Sequence, residues 1–272
     1  MTNIPYLDEV WNLTRGCTKV SAGCAHCYAE RITQRFWRGP KGMSFNGAID
    51  VSTVEKALDK PLHWRKPRRI GVCFMSDLFH EKVPDEFIAR VWGCMNTLRT
   101  SRHTFLILTK RPERMCSLLS SEDFENRAFA LIPGGTPFGT VAWPLPNVWL
   151  GVSVENQETA DERIPILLET PAAHRWVSAE PLLGAVDLHS FLPCGDPVCE
   201  EELTFLNWVV VGGESGPHSR QMEPYWLAQG ILDCQAAGVP VYCKQDSGPR
   251  PGMQGRISDA LWAVKQLPGG WA

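Results

Sequence analysis

The stretch "GCTKVSAGCAHCYAERITQRF", residues 16–36, carries Cys17, Cys24 and Cys27 in a C-x6-C-x2-C spacing. Thiols this close suit a metal, and the number three narrows the choice. Zinc takes four protein ligands in structural sites, and three plus an open position in catalytic ones. No second cysteine pair lies nearby to complete a zinc ribbon. His26 adjoins Cys27, but neighbouring residues rarely both point at one ion. A [4Fe-4S] cube held by three thiolates leaves its fourth iron free for a substrate or cosubstrate. The incomplete ligand set is then the functional feature. Zinc, and ordinary buried or redox thiols, stay as the competing readings. Cys194 and Cys199, spaced C-x4-C, read as two free thiols in a loop, with metal binding as the competing reading. Cys73, Cys94, Cys116, Cys234 and Cys243 sit in apolar surroundings and read as core residues.

Something must hold that loop. Short β-branched or aromatic runs recur along the chain: "GVCFM" (71–75), "TFLIL" (104–108), "VWLGV" (148–152), "RWVSA" (175–179), "NWVVV" (207–211) and "VPVYC" (239–243), with "EVWNL" (9–13) as the first member. Continuous apolar runs of this length suit strands buried on both faces. Between them lie amphipathic segments at 84–99, 156–169 and 224–238, the last ending on Gly238 as a C-cap. Strand and helix alternate, so a parallel α/β fold is expected.

Each strand run gives way to polar residues: "SDLF" (76–79), "TKRPER" (109–114), "SVEN" (153–156), "SAEPLL" (178–183), "GGESG" (212–216) and "KQD" (244–246). Parallel α/β folds build their sites at the carboxyl ends of the strands. A barrel or partial barrel with one polar mouth accounts for the pattern, although any single loop has an ordinary explanation as turn and cap residues. Segments 121–146 and 185–206 break the rhythm and read as insertions, and 246–272 as a C-terminal extension of one domain spanning 1–272.

Composition constrains the function class. The chain has 272 residues, 44% hydrophobic and 21% charged, with net charge −3, so no global basic field announces a nucleic-acid binder. The stretches "HWRKPRR" (63–69), "TKRPER" and "SGPHSR" (215–220) are expected to provide cations near the polar mouth, and 11 Trp offer stacking surfaces, although both features have ordinary explanations. Trp149, Trp176 and Trp208 lie inside strand runs, where core packing is the better reading. No stretch of 18 apolar residues and no signal-type N-terminus is present, so a cytoplasmic protein with reduced thiols and no membrane partner is expected.

The motifs "WNLTRGCTKVSAGCAHCYAE", "MSDLFHEKVPDEF", "FLILTKRPERM", "VWLGVSVENQETADERIPILL", "WVSAEPLLG", "WVVVGGESGPHSRQM" and "PVYCKQ" span about residues 10–245. In their order and content the chain resembles a phage-associated, three-cysteine branch of the radical S-adenosylmethionine superfamily. The resemblance implies a partial (β/α)6-type barrel with the cysteine loop after its first strand. It departs from most members, which use C-x3-C-x2-C with an aromatic residue before the third cysteine. Here His26 takes that place and Tyr28 comes one step later. Many members also carry Gly-Gly-Glu after the second strand, where this chain has "MSDLF".

The resemblance further implies that Cys17, Cys24 and Cys27 hold a [4Fe-4S] cluster whose open iron is chelated by S-adenosylmethionine. Ser76, Asp77, Ser153 and Glu155 are the candidates for its amino group and ribose, because a carboxylate suits an ammonium and sugar hydroxyls. Lys110 and Arg111 are candidates for a methionine carboxylate or a substrate phosphate. Glu180, Glu214 and Lys244 are the candidate catalytic contacts to substrate, with a rim cation paired to a neighbouring Glu as the competing reading of Lys244. A one-electron reductant such as flavodoxin or ferredoxin is the implied partner, in the host cytoplasm for a phage-encoded chain. The implied substrate is a modified nucleobase, such as a thymine carrying an amino-acid substituent, in DNA or as a nucleotide, with isomerase or lyase chemistry favoured. A zinc-binding, non-radical nucleic-acid-binding protein or hydrolase is the alternative.

Overall fold

The computed structural model describes residues 4–36, 51–132, 142–195 and 204–269. Strand β1 (Glu9–Trp11) is followed by a small antiparallel ribbon of β2 (Thr14–Arg15) and β3 (Ser52–Thr53). Then come β4 (Arg69–Val72), β5 (Thr104–Thr109), β6 (Val148–Val154), β7 (His174–Ala179), β8 (Trp208–Gly212) and β9 (Val241–Gln245). Seven of them form one sheet in the order β1-β4-β5-β6-β7-β8-β9, and every pairing is parallel. Parallel neighbours in sequence order require a crossover at each step. The helices are α1 (Tyr28–Phe36), α2 (Asp85–Met95), α3 (Pro112–Leu119), α4 (Glu122–Ala130), α5 (Gln157–Glu169), α6 (Pro224–Ala236) and α7 (Asp259–Trp262). The result is a partial α/β barrel, a half-barrel of parallel strands wrapped by helices, as the alternating pattern predicts.

Strand boundaries obey local chemistry. The run at 71–75 leaves the sheet early, at Val72, because Cys73 adopts φ +57 and turns the chain. Segment 121–146 is not simply an insertion. It opens with α4, whose Phe124 packs edge-on against Trp92 of α2 at 5.7 Å between ring centroids. The pattern hides this helix because α3 and α4 succeed one another with no strand between. Residues 133–141 lie outside the described residues. In the second proposed insertion, Val186, Leu188, Phe191, Leu192 and Leu206 are buried in the helix-side core, and residues 196–203 lie outside the described ones. The C-terminal extension contributes α7 and an antiparallel bridge from Lys265 to Tyr242.

Period-2 alternation divides the sheet into two environments. Ile70, Val72, Phe105, Ile107, Leu150, Val152, Val177 and Val209 face the helices. Leu106, Trp149, Trp176, Trp208, Val210 and Tyr242 face the lumen, where Tyr6 and Leu7 of the N-terminal segment join them. The Tyr6 ring meets Trp208 at 5.1 Å and 84°, and Trp176 meets Trp208 at 5.3 Å. The Tyr6–Trp208 contact is edge-to-face, and such pairs contribute about 0.5–1.5 kcal/mol beyond their burial. Gly151 makes room for this layer, since a Cβ there would stand 2.5 Å from Trp176 Nε1. The amino-terminal half of the lumen is thus a closed aromatic floor. Further along the same strands the inward positions become Ser153, Ser178 and Lys244, and then the polar loops of the mouth.

Candidate functional site at the barrel mouth

The exit of β6 is fixed by the cap of α5. Asn156 Oδ1 accepts from the Thr159 N–H at 3.1 Å, while Thr159 Oγ1 accepts from the N–H groups of Asn156 (3.2 Å) and Glu155 (2.8 Å). This reciprocal cap holds Glu155 at the lumen, where it is 1% exposed. Its carboxylate accepts from Ser21 Oγ of the cysteine loop at 2.9 Å, from Arg163 Nη1 of α5 at 3.2 Å, and from Lys110 Nζ after β5. Burial pushes its pKa up, but Lys110 and Arg163 outweigh burial and hold it below the ordinary value. Arg163 also donates to the Ser153 carbonyl at 2.7 Å. Ser153 therefore enters through its backbone as much as through its side chain.

The β4 and β5 exits are tied together by Asp77, which is buried. Its carboxylate accepts from Thr109 Oγ1 at 2.8 and 2.9 Å, from the Phe79 N–H at 2.9 Å and from the Lys110 N–H at 3.2 Å. Ser76 Oγ donates to the Thr14 carbonyl at 3.0 Å and lies 2.5 Å from Thr14 Oγ1. Arg111 donates to Thr18 Oγ1 at 2.6 Å and to Glu81 at 3.3 Å, and buried His80 meets Thr18 Oγ1 at 3.0 Å. Two strand exits thus grip the start of the cysteine loop.

The β8 exit grips its end. Glu214 accepts from the Arg220 N–H (2.8 Å), Arg220 Nε (3.0 Å) and Arg220 Nη2 (2.5 Å), and faces His26 Nδ1 at 3.0 Å. Burial pushes its carboxyl up, but these donors overcome it and bring the pKa down to about 2. Gly213 permits the close crossing of the β8 and β9 exits, since a Cβ there would run into the Ser247 backbone. Glu180, after β7, accepts from Lys244 Nζ at 2.7 Å and Gln245 Nε2 at 3.0 Å. Lys244 is therefore a paired rim cation. Tyr28, at the start of α1, keeps its ring partly exposed but donates its hydroxyl to the Phe74 carbonyl. Burial of that hydroxyl raises its pKa.

The cysteine loop therefore lies across the mouth, fastened to the exits of β4, β5, β6 and β8. Cys17, Cys24 and Cys27 are unpaired and partly buried. Burial, then Asp77, pushes the Cys17 thiol up to about 12, and burial also raises Cys27. For Cys24 burial acts upward, but Lys110 and backbone donors at Val20 and Ser21 bring the thiol below its ordinary value. Among the described residues no three His, Cys, Asp or Glu side chains are arranged around a single metal ion. A cube asks for something different, because each thiolate binds its own iron. Three unpaired, partly buried thiols that sense one another's charge, with Lys110 and Arg111 close by, have the donor chemistry for such a cluster.

All twelve residues singled out in the sequence lie on the cysteine loop or at the carboxyl ends of strands, and one network joins Glu155, Lys110, Asp77 and the loop. Glu180 and Lys244 form a separate pair, and Glu214 belongs to His26 and Arg220. The residues that spacing did not reveal are Thr18, Ser21, His80, Arg163 and Arg220. Arg163 left a signal. It sits on the buried stripe of α5 between Ala160, Ile164 and Leu167, and a charge on an apolar stripe calls for a buried partner.

Residues 1–258 match the model of a family described as "Protein of unknown function (DUF5131)". The chain belongs to the DUF5131 family. No curated protein and no solved structure matches it. For this member of DUF5131 two expectations from the sequence need correction. "HWRKPRR" lies at the amino end of β4, away from the mouth, where Arg68 pairs with Glu9 at 2.6 Å and Arg69 with Asp8 at 3.1 Å. Cys116 is not a core residue; it is partly exposed on α3, 3.9 Å from Ser120 Oγ, whereas Cys73, Cys94, Cys234 and Cys243 are buried. Cys194 is exposed, and Cys199 lies outside the described residues. Among the described residues no helix is long and apolar enough to cross a membrane.

Proposed function

We propose that this protein is a radical S-adenosylmethionine enzyme acting on a modified nucleobase, with Cys17, Cys24 and Cys27 as ligands of an open-site [4Fe-4S] cluster. The observation that carries the reading is the fastening of a three-thiol loop, through Ser21, Thr18 and His26, to the polar exits of a half-barrel. When bound, the cluster and S-adenosylmethionine supply one-electron cleavage of the sulfonium to a 5'-deoxyadenosyl radical, which takes a hydrogen atom from the substrate.

The chain's own residues supply placement and seclusion. Glu155 ties the loop to β6 while Lys110 and Arg163 compensate its charge, so the thiols are held without an unpaired buried carboxylate. The aromatic floor closes the lumen below and excludes water from the end opposite the loop. Asp77 spends both its oxygens on Thr109, Phe79 and Lys110, so its part is to position the β4 and β5 exits. Glu180 and Lys244 are the candidate substrate contacts, because their pair lies on the lumen side and joins the β7 and β9 exits across β8. Ser76 and Ser153 are the candidates for cosubstrate hydroxyl contacts. Flavodoxin or ferredoxin is the class of reductant such chemistry needs.

Anaerobic purification tests the proposal. A brown protein with roughly four irons and absorbance at about 400 nm is expected, and Cys27→Ala is expected to lose both. After reduction with S-adenosylmethionine present, 5'-deoxyadenosine should accumulate. A colourless, active protein with stoichiometric zinc would replace the radical reading with the zinc alternative.

A further inference from the structure

One cation beside the mouth has no counterpart among the described residues. Arg31 lies one turn beyond Cys27 on α1, where its N–H donates to the Cys27 carbonyl at 3.3 Å. Its Nε and Nη1 are closed off from solvent and neither has an acceptor. The guanidinium rests against Gly216, in the loop after β8, where a Cβ would fall among its Nη1, Nη2 and Cζ atoms. With φ +124, Gly216 is also a position that side-chain-bearing residues rarely adopt.

The other mouth cations are engaged: Lys110 and Arg163 with Glu155, Arg111 with Glu81, Arg220 with Glu214, and Lys244 with Glu180. Glu214, the carboxylate nearest in sequence to Gly216, is filled by Arg220 and His26. Native proteins leave few buried donors unsatisfied, and those of a charged group are the most costly. A guanidinium offers a planar fork of donors that fits the oxygens of phosphate. Arg31 and Arg220 against Glu214 also leave this corner net positive.

We propose that Arg31 is an anchor for a phosphate group of the substrate, belonging to a free nucleotide or to the backbone of DNA. This rests on the nucleobase reading above and adds a specific contact to it. The phosphate would be held through Nη2, the guanidinium nitrogen that is not closed off from solvent, beside Gly216 and one turn of α1 away from the thiol loop.

The test uses the full-length chain, purified anaerobically, with thermal unfolding monitored in titrations of inorganic phosphate, thymidine, thymidine 5'-monophosphate and a short single-stranded thymidine oligonucleotide. Phosphate and at least one of the two phosphorylated ligands should raise the wild-type Tm saturably, with binding at least about tenfold tighter than thymidine. A response to the mononucleotide alone assigns the phosphate to a free nucleotide, and a response to the oligonucleotide alone assigns it to DNA. Both outcomes support the anchor. Arg31→Met should weaken the phosphorylated ligand about tenfold or more, with Arg31→Lys between the two. In phosphate-free buffer Arg31→Met should keep or raise the Tm, because it removes an unpaired buried charge.

The proposal is overturned by equal binding of thymidine and its phosphates, by undiminished binding in Arg31→Met, or by protection from free methionine in place of phosphate. A ligand-free Tm lowered by several degrees in Arg31→Met would mark a structural arginine and overturn it too. None of these readings uses iron or S-adenosylmethionine, so failure of the anchor is distinguishable from failure of the radical proposal.

Discussion

The two ends of one lumen are built on opposite physical terms. At the amino end Tyr6, Trp176, Trp208 and Tyr242 pack ring against ring, Trp149 stacks on His174, and the indole N–H groups of Trp176 and Trp208 are satisfied by the carbonyls of Ile107 (3.2 Å) and Gln266 (3.1 Å). At the carboxyl end Glu155, Arg163 and Asp77 are just as withdrawn from water, with Lys110 partly so, but they are held by charge and hydrogen bonds. The floor gains from each apolar group it buries. The mouth must compensate every charge it buries, so it depends on partners from different strands arriving together. The floor therefore sets the barrel's shape, while the mouth sets the position of the thiol loop.

The strongest way to break that division is Trp176→Ala. A fully buried indole leaves a cavity and an unfilled carbonyl, and the cost should be about 3–5 kcal/mol in urea unfolding. The loop contacts at Ser21 and His26 do not involve Trp176, so tryptic cleavage after Lys19 under native conditions should change little. A loss under ~1 kcal/mol would mean that the floor is not a packed core. Glu155→Leu is the reciprocal change. Removing one partner of a buried network leaves Arg163 and Lys110 uncompensated, at a cost of about 3 kcal/mol. It should also release the loop at Ser21 and accelerate cleavage after Lys19. Equal protection of Lys19 in this variant and the wild type would show that the loop is held without Glu155.

The same contrast explains what could be read from the chain. The floor was legible because a short continuous apolar run is a local property: "VWLGV" and "NWVVV" announce strands buried on both faces whatever else the protein contains. The polar exits were legible as a set, since parallel strands share one carboxyl end. Their pairings were not. Nothing within "SVENQET" says that Glu155 will meet Ser21, and nothing in "SGPHSR" says that Arg220 will close on Glu214 and leave Arg31 without an acceptor. Those partners are chosen by the curvature of the sheet and the path of the cysteine loop. Helix α4 was missed for a related reason, because the rhythm of strand and helix that betrayed the other elements lapses between α3 and α4.

The finest test of the contrast lies in acid. Folded Glu214 has its pKa brought from the ordinary 4.5 down to about 2, chiefly by the Arg220 donors that overcome burial. A carboxyl depressed in the folded state stabilises the fold fully above its unfolded pKa, and that contribution is lost as pH falls from about 4.5 toward 2. Arg220 retains about a third of its surface, so solvent screening holds the effect below ~1 kcal/mol. Glu155 and Asp246 are depressed too, by different partners, and they shape the acid limb of any variant. The informative quantity is therefore the difference between wild type and Arg220→Met. That difference should be constant above pH ~5 and shrink below it as Glu214 takes up its proton. Trp176 itself does not titrate and touches neither Glu214 nor Arg220, so Trp176→Ala should show an offset from wild type that does not follow Glu214 over the same range. A pH-independent offset in Arg220→Met would mean that Arg220 stabilises the β8 exit by packing, and the mouth would then resemble the floor more closely than its charges imply.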